Sequence, residues 1–397
     1  MPTVVLDIDF QNIPTIINNL ENYEKAFVLI RVGNQPVAQI RVPVRRGRIY
    51  RSELLDLLKE TRCWPLWEKI LHQYLGWESV EKPAKMPQAT VAVTTRDRPE
   101  DLKRCLDAIS KLPDDGQEYL VIDNCPSTNY TKQLVDSYGG LVRYVREDRV
   151  GSSAARNRAL REAKHEIVAF SDDDAVPDRG WLRALVRNFC DPLVLCATGL
   201  TMPLQLETKA QEWFELYCPH GRGFARVVFD FSRFDALNVA PAGTSANMAL
   251  RRTVVEHVGF FDEALGAGIP TRGGEDYELF SQILSAGYRI VYDPAALSWH
   301  RHRRTWRNLR KTIYGYGVGV YAFWTRALLV EKEWHTLQHA WWWFRHTQLP
   351  NLARSLLRRP NRVPLDLLLA ELFGCIVGPG AYLVSRRRFK KKQTELS

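Results

Sequence analysis

Three consecutive carboxylates, Asp172, Asp173 and Asp174, are the residues of this sequence best suited to chemistry. Like charges in contact repel one another unless a cation lies among them. In an extended segment, residues two apart share a face, so Asp172 and Asp174 can point the same way. Two carboxylates on one face suit Mg²⁺ or Mn²⁺, hard cations that keep open positions for phosphate oxygens. A solvated acidic turn or a helix N-cap is the alternative interpretation.

A short apolar run precedes the acidic cluster and must position it. Residues 167–170 have two branched members among four apolar residues, which predicts a buried strand. Because proline has no backbone N–H to donate, Pro177 predicts that no sheet pairing follows the cluster. The chain thus delivers the carboxylates to the carboxyl end of a core strand, where open α/β sheets bind their ligands.

Predicted strands and helices alternate upstream of the cluster, which indicates a doubly wound, mostly parallel α/β sheet. The predicted elements are a strand at 90–95, a helix at 100–112, a strand at 119–122, a helix ending near 138, a strand at 142–145, a helix from 151 to about 163, and the strand at 167–170.

Polar side chains follow several of these strands and converge on one edge of the sheet. Thr94, Arg96 and Arg98 follow the first strand, and Asp123 follows the second. The helix start at 151–157 offers backbone N–H groups to an anion and carries Arg156 one turn inside. Arginines bind phosphates, and a carboxylate away from the metal can accept from a ribose or base. This placement predicts a nucleoside-diphosphate pocket.

Several ordered motifs resemble one known family. The segments VAVTTRDRP, VIDN, GSSAARN and FSDDDAVP resemble the GT-A nucleotide-sugar domain of family 2 glycosyltransferases. Further on, GTSANMALRR (243–252), GFFDEALGAG (259–268) and GGEDYELFSQILSAGYRIVYDP (273–294) resemble that family's sugar-binding and catalytic segments. The resemblance covers about residues 88–300. It implies an inverting, metal-dependent transfer from a UDP-sugar to a glycan or lipid-linked acceptor, in bacterial cell-envelope or exopolysaccharide synthesis.

The resemblance also implies a role for individual residues. Asp276 would be the general base, and Asp123 would hold the uracil or ribose of the donor. Asp172 and Asp174 would bind the metal, which His300 completes in some members of the family. The adjacent acid Asp173 leaves open which pair chelates. The other implied residues are Thr94, Thr95, Arg96, Arg98 and Arg156 for the nucleotide, and Gly243, Asn247 and Glu275 for the donor-sugar and acceptor side.

The chemistry explains these residue types. Displacement at the anomeric carbon needs the leaving diphosphate neutralised, which a divalent ion and an arginine can do. The acceptor hydroxyl is a poor nucleophile until a carboxylate takes its proton. Asp276 precedes a predicted helix, 277–286, so an acid stabilised by the helix dipole is the alternative interpretation.

The whole chain divides into four predicted parts. Residues 1–82 predict a small α+β module with a β-hairpin around Gly33–Pro36, and 83–89 form a linker. Residues 90–304 form the catalytic domain, and 305–397 a basic, aromatic helical region. The seven scattered Cys lack any CxxC pair, and no basic stretch opens the chain, so we expect a cytoplasmic protein.

The last hundred residues, from Ser298, hold 19 Lys and Arg against 5 Asp and Glu, a net charge of +14. This charge predicts an anionic partner surface, lipid or nucleic acid. The apolar stretch at 364–384 contains Asp366, Glu371 and a predicted break at 378–380. We therefore expect interfacial helices, peripheral on the inner face of the cell membrane, rather than a spanning helix. Helices packed on the catalytic domain are the alternative.

Two other functions are open at this stage. A sugar nucleotidyltransferase shares the sheet and the acidic metal site, but its glycine-rich loop is absent from residues 94–99. A nucleic-acid-binding protein would explain the basic, aromatic tail, but it leaves the acidic pocket unexplained, so no nucleic acid is expected as partner.

Overall fold

The computed structural model describes residues 2–61, 63–77, 86–360 and 362–396. The predicted linker lies partly outside these residues. The strands are β1 (Thr3–Asp9), β2 (Ile16–Ile17), β3 (Lys25–Val32), β4 (Gln35–Pro43), β5 (Ile49–Tyr50), β6 (Ala89–Thr95), β7 (Glu118–Asn124), β8 (Val142–Glu147), β9 (Ile167–Asp172), β10 (Ala175–Pro177), β11 (Val194–Pro203), β12 (Val227–Phe229), β13 (Asn247–Arg251) and β14 (Arg289–His300).

The α-helices are α1 (Arg51–Glu60), α2 (Trp64–Tyr74), α3 (Pro99–Ile109), α4 (Tyr130–Asp136), α5 (Ser152–Glu162), α6 (Trp181–Val186), α7 (Lys209–Tyr217), α8 (Val254–His257), α9 (Glu275–Ser285), α10 (Trp306–Arg326), α11 (His335–Trp343), α12 (Leu349–Leu356) and α13 (Leu365–Leu396). Shorter 3₁₀ or π turns lie at Phe10–Asn12, Arg187–Cys190, Ala240–Ala242, Ala327–Glu331 and Phe344–Gln348.

The N-terminal module is a three-stranded sheet, ordered β1-β3-β4, with α1 and α2 against it. The predicted hairpin is confirmed, because β3 and β4 pair antiparallel around Gly33 and Asn34. Alternate residues of β3 belong to two cores. Val28 and its neighbours pack inside the module, whereas Phe27 and Leu29 pack into the core of the main sheet. The module is therefore joined to the catalytic domain by shared apolar packing.

The central sheet has nine strands, with β10-β14-β11-β13-β9-β6-β7-β8 in order and β12 paired to β14. Strands β6, β7, β8, β9, β11 and β14 run in one direction, and β13 is inserted antiparallel between β9 and β11. Helix α3 packs on one face and α5 on the other, in separate apolar clusters. The predicted doubly wound, mostly parallel α/β sheet is confirmed.

Helices α10 and α13 pack on each other through glycines. Gly317 of α10 faces the backbone of α13 at Glu371, and Gly374 of α13 faces the backbone of α10 at Tyr314. A Cβ at Gly378 would lie 2.7 Å from the carbonyl oxygen of Val318. Since none of these positions has room for a side chain, the two helix backbones approach closely.

The predicted break at 378–380 is wrong. Helix α13 continues from Leu365 to Leu396 with Pro379 inside it. Proline removes one backbone hydrogen bond, but the packing of α10 on this segment holds the flanking turns together. Gly378 serves this close helix contact rather than a turn. By length and composition alone Leu365–Lys390 could cross a membrane, a test that buried helices of soluble proteins also pass.

We predict that Gly374→Ala lowers the free energy of unfolding by about 1–3 kcal/mol, because its methyl group overpacks against the carbonyl of Tyr314. Thermal melting of the full chain measures this change. Gly380→Ala is the control on the same helix, since nothing lies within 4 Å of its Cβ position. It should stabilise by about 0.5–1 kcal/mol. Equal melting temperatures for the two variants would contradict the close approach.

Candidate active site

A cavity of about 920 Å³ lies at the carboxyl ends of β6 and β9. Its walls come from the central sheet and its loops, from α9, and from the C-terminal helices α10, α11 and α13. Eleven of the predicted site residues line it, namely Thr94, Thr95, Arg96, Arg98, Arg156, Asp172, Asp173, Asp174, Glu275, Asp276 and His300. The fold therefore brings together residues that are up to about 200 positions apart in the sequence.

Asp172, Asp174 and His300 form a candidate metal-binding group. One ligand atom from each lies within 4.8 Å of the others. Strand pairing explains the meeting, because β10 pairs with β14 and places Ala175 opposite His300. The expectation that Pro177 ends sheet pairing is therefore wrong: Pro177 is the last residue of this short strand and lies opposite Ser298. Carboxylate oxygens and an imidazole nitrogen are suitable ligands for Mn²⁺, and carboxylates for Mg²⁺. The residues present therefore fit a divalent cation.

Cations from separate elements surround Asp174. The Nε2 atom of His300 lies 3.2 Å from its carboxylate, and Arg303 and Arg98 donate to it at 3.1 and 3.3 Å. Burial alone would raise the pKa of Asp174, but the positive charges of His300 and the two arginines outweigh it and hold the pKa well below its usual range. Asp174 is therefore an anion even in the absence of a metal.

The neighbouring Asp173 has a different environment. Its carboxylate accepts from the Thr95 hydroxyl at 2.8 Å and from Arg98 at 3.1 Å. Burial, and then the charge of Asp174, raise the pKa of Asp173 to about 7. Asp172 keeps about a third of its side chain exposed. Asp172 and Asp174, rather than Asp173, lie in the group that could hold a metal.

The carboxylate of Glu275 lies at the start of α5, where the sequence predicted an anion-binding site. It accepts from Arg156 and from the Ser152 hydroxyl, both at 2.7 Å. The backbone N–H of Ser152 donates to Ala267. Arg156 is almost fully buried and also lies 3.7 Å from Asp172. The start of α5 therefore already has an anionic partner within the chain.

Asp276 lines the cavity and is held by two backbone N–H groups. Its carboxylate accepts from the backbone of Tyr277 at 2.9 Å and from the backbone and hydroxyl of Ser245 at 3.3 and 3.4 Å. Burial, and then the charge of Glu275, raise the pKa of Asp276 to about 6. A carboxylate with this pKa is ionised at neutral pH and can still accept a proton.

Three predicted residues, all described by the structure, do not line the cavity. Asp123 is fully buried and accepts from the Tyr144 hydroxyl at 3.0 Å. Gly243 has φ 113°, and a Cβ there would lie 2.7 Å from the Thr198 hydroxyl, so its glycine is required by the backbone.

Asn247 has a position in the core. Its amide donates to the carbonyls of Leu200 and Ala296 at 3.0 and 2.8 Å, and its oxygen accepts from the Trp181 indole at 2.7 Å. These partners occupy its polar atoms, so Asn247 orients the start of β13 rather than offering a group to a sugar.

The wall formed by α10 was not predicted from the sequence. Its lining residues are Lys311, Thr312, Gly315, Tyr316, Gly319 and Val320, which recur at intervals of four. This spacing places them on one helix face, and it was visible in the sequence as a row of small and polar residues. Gly319 packs on Gly273 and Gly274, the residues that lead into Asp276.

The mostly parallel sheet, with an acidic cluster at the end of a core strand, is the arrangement expected of a GT-A fold. Residues 90–259 match the model described as Glycosyl transferase family 2. The similarity to this family therefore belongs to that domain of the chain.

Similar proteins agree with this class. A pre-mycofactocin glycosyltransferase of Mycobacterium tuberculosis (strain H37Rv) is 29% identical over 237 residues, which are 57% of this chain and 46% of that protein. Glycosyltransferase AglE of Haloferax volcanii is 24% identical over 248 residues, 60% of this chain and 75% of that protein. The chain thus spans about half the length of the mycobacterial relative.

Among solved structures, the mannosyltransferase PcManGT from Pyrobaculum calidifontis, in complex with GDP-Man and Mn²⁺, is 19% identical with a TM-score of 0.47. The match covers 80% of this chain and 92% of that one.

We predict that Glu275→Gln lowers the free energy of unfolding by about 3 kcal/mol, because the buried Arg156 loses the charge of its nearest carboxylate. This is the low end of the range for breaking a buried ion pair, since Asp172 remains 3.7 Å from Arg156. Chemical denaturation checks the change. Glu256→Gln, at an exposed glutamate, is the control and should leave the midpoint unchanged. The same midpoint for Glu275→Gln and the native chain would show that Glu275 is not needed to balance Arg156.

Proposed function

We propose that this chain transfers a sugar from a nucleoside-diphosphate sugar, a UDP-sugar by the resemblance of its motifs, to a hydroxyl group of an acceptor. The observation that carries the proposal is the placement of two groups on one cavity. A cluster suited to a divalent cation lies on one wall, and an ionised carboxylate of raised pKa lies on another. The match of residues 90–259 to the family 2 glycosyltransferase model favours this function over a nucleotidyltransferase or a nucleic-acid-binding protein.

On the donor side, Asp172, Asp174 and His300 would hold Mg²⁺ or Mn²⁺. When bound, the cation neutralises the charge that develops on the leaving diphosphate. Arg98 and Arg303 lie on the same carboxylate cluster and line the cavity, so they can exchange part of their hydrogen bonding for phosphate oxygens. These side chains give the leaving group a positive environment before the substrate arrives.

On the acceptor side, Asp276 takes the proton of the attacking hydroxyl. The hydrogen bonds from Tyr277 and Ser245 orient its carboxylate, and burial strengthens it as a base. The hydroxyl attacks the anomeric carbon from the face opposite the leaving diphosphate. A single displacement of this kind inverts the configuration at that carbon.

The aromatic side chains that line the cavity support a proposal about the acceptor. Val320, Trp324 and Trp343 line it together with the polar side chains of Tyr316 and Lys311. Aromatic rings stack on the apolar faces of sugars and also contact lipid chains. A glycan or lipid-linked acceptor of bacterial cell-envelope or exopolysaccharide synthesis fits such walls.

The direct experiment incubates the chain with a panel of nucleotide sugars, an acceptor mixture and Mn²⁺, and follows release of the nucleoside diphosphate. We expect release with a UDP-sugar and its loss on removal of Mn²⁺ by a chelator. No release from any donor, with the protein folded and Mn²⁺ present, would contradict the proposed function.

We predict that Asp276→Asn lowers turnover by roughly two to four orders of magnitude, the range for loss of a general base. Donor affinity should hardly change, because other residues hold the nucleotide and cation. Steady-state kinetics and calorimetry with UDP measure the two effects. Ser245→Ala is the matched control, since it removes only a long hydrogen bond to the same carboxylate. Near-normal turnover in Asp276→Asn would exclude it as the base.

The pH dependence follows from the same group. A base works in its ionised form, and the pKa of Asp276 is raised to about 6. Turnover of the native chain should therefore be constant at neutral pH and decrease as the pH falls through about 6. A turnover that stays level to pH 5 would contradict this assignment.

We further propose that the C-terminal helices contact an anionic membrane surface from the cytoplasmic side. Trp334, Trp341 and Trp342 are each more than half exposed, and Phe373 and Ile376 of α13 are also exposed. The net charge of +14 from Ser298 onward supports attraction to anionic lipid. Exposed Trp side chains beside basic groups are typical of proteins that lie in the membrane interface.

We predict that the double variant Trp341→Ser and Trp342→Ser binds vesicles containing phosphatidylserine about tenfold more weakly, because it loses apolar area at the interface. Flotation assays with anionic and neutral vesicles measure the partitioning. Trp64→Ser, at an equally exposed tryptophan of the N-terminal module, is the control. Equal binding of the native chain to neutral and anionic vesicles would contradict the electrostatic part.

A further inference from the structure

A chain of buried side chains extends from the candidate metal group into the core, and the transfer chemistry above does not use it. Nδ1 of His300 lies 3.0 Å from Nδ1 of His302, and Nε2 of His302 lies 3.1 Å from the carboxylate of Glu215. The side chains of His302 and Glu215 are 1% and 5% exposed. A carboxylate of α7 is thereby connected to a candidate metal ligand at the end of β14.

Helix α7 also fixes the position of the two imidazole rings. The ring of Phe214 packs 4.2 Å from that of His302, and the amide of Gln211 donates to the His302 carbonyl at 3.3 Å. On the other side, the ring of His220 lies 5.1 Å from that of His300. The rings are therefore held by packing as well as by hydrogen bonds.

The hydrogen bonds have a direction when a cation is bound. Nε2 of His300 faces Asp174, so a cation in this group needs a lone pair at Nε2 and the hydrogen of the neutral ring on Nδ1. A hydrogen on Nδ1 needs an acceptor, and Nδ1 of His302 accepts only if the His302 hydrogen is on Nε2. Glu215 accepts that hydrogen, since a carboxylate oxygen lies 3.1 Å away.

We propose that Glu215, through His302, orients the His300 ring and directs its Nε2 lone pair to the divalent cation. Glu215 and His302 are positioning residues, because neither contacts the cation or a substrate. This inference rests on the proposed function, in which Asp172, Asp174 and His300 hold the metal. Hydrogen-bonding partners behind a metal ligand typically change metal affinity by about 10–100-fold.

The test measures Mn²⁺ affinity of the full chain directly, by electron paramagnetic resonance of free Mn²⁺ in the presence of UDP. Glu215→Leu removes the acceptor and keeps the volume, and we expect it to weaken Mn²⁺ binding by about 10–100-fold. Its melting temperature should fall, because the Nε2 hydrogen of the buried His302 loses its acceptor, so Mn²⁺ binding is measured at a temperature at which the variant is fully folded. A loss of Mn²⁺ affinity in the fully folded variant, with UDP affinity in the absence of Mn²⁺ unchanged, separates positioning from a merely structural role.

His302→Phe is the second variant. It keeps the ring contact with Phe214 but breaks the hydrogen-bond chain, and it should weaken Mn²⁺ binding to the same degree. It tests the proposal even if Glu215→Leu does not fold. The matched control is Glu212→Gln on the same helix, because Glu212 pairs with Arg41 and is not part of the chain.

Mn²⁺ affinity within about twofold of the native value in a folded Glu215→Leu or His302→Phe would overturn the proposal, as would an equal loss in Glu212→Gln. Asp174→Asn separates this failure from that of the proposed function. Unchanged Mn²⁺ affinity in Asp174→Asn would overturn the metal site itself, and the proposed function with it. Loss of Mn²⁺ affinity in Asp174→Asn, together with native Mn²⁺ affinity in Glu215→Leu, would overturn only the positioning role of Glu215.

Discussion

The concentration of negative charge at the end of β9 is the constraint on which the rest of the site depends. Buried carboxylates are costly unless cations or hydrogen-bond donors balance them. The balance comes from distant parts of the chain. Arg98 precedes α3, Arg156 lies on α5, His300 ends β14, and Arg303 follows that strand. Elements that are separate in sequence must therefore assemble before the cluster can be buried.

This arrangement also supports the proposal that the cavity receives both a cation and a phosphate. The arginines that balance the carboxylates are partly exposed on the cavity side, as Arg98 and Arg303 are. When a cation neutralises Asp172 and Asp174, the arginines lose part of their attraction to those carboxylates and can turn to an incoming anion. Metal and diphosphate would then favour each other's binding without any movement of the backbone.

The sequence predicted the parts of this protein that depend on local pattern. Short apolar runs located the parallel strands, and the carboxylates after β9 located the edge where the cavity lies. It could not show that Glu275 would occupy the start of α5, since that contact joins residues more than 100 positions apart. For the same reason the sequence could not show that Asn247 lies in the core, because its partners Leu200 and Ala296 are also distant in the sequence. A polar residue in a motif has the same local pattern whether its partners are substrate or backbone.

The continuous helix α13 and the cavity wall from α10 were missed for a related reason. A glycine in a sequence can indicate a turn, a helix break or a close backbone contact, and only the segment that packs against it shows which of these applies. Gly378 resembled a helix break next to Pro379, but the backbone of α10 at Val318 is its partner. Small residues repeated along α10 were a usable signal, because their spacing keeps them on one helix face.

The contact of Gly319 with Gly273 and Gly274 has a consequence for how this protein can diverge. The family match ends at residue 259, before the loop that leads into Asp276 and before α10. Neither the loop nor the helix can gain a side chain at this contact unless the other backbone moves away. Recombination between relatives at a point between the loop and α10 would bring together mismatched surfaces beside Asp276. The segment from Gly273 through α10 should therefore be inherited as one block.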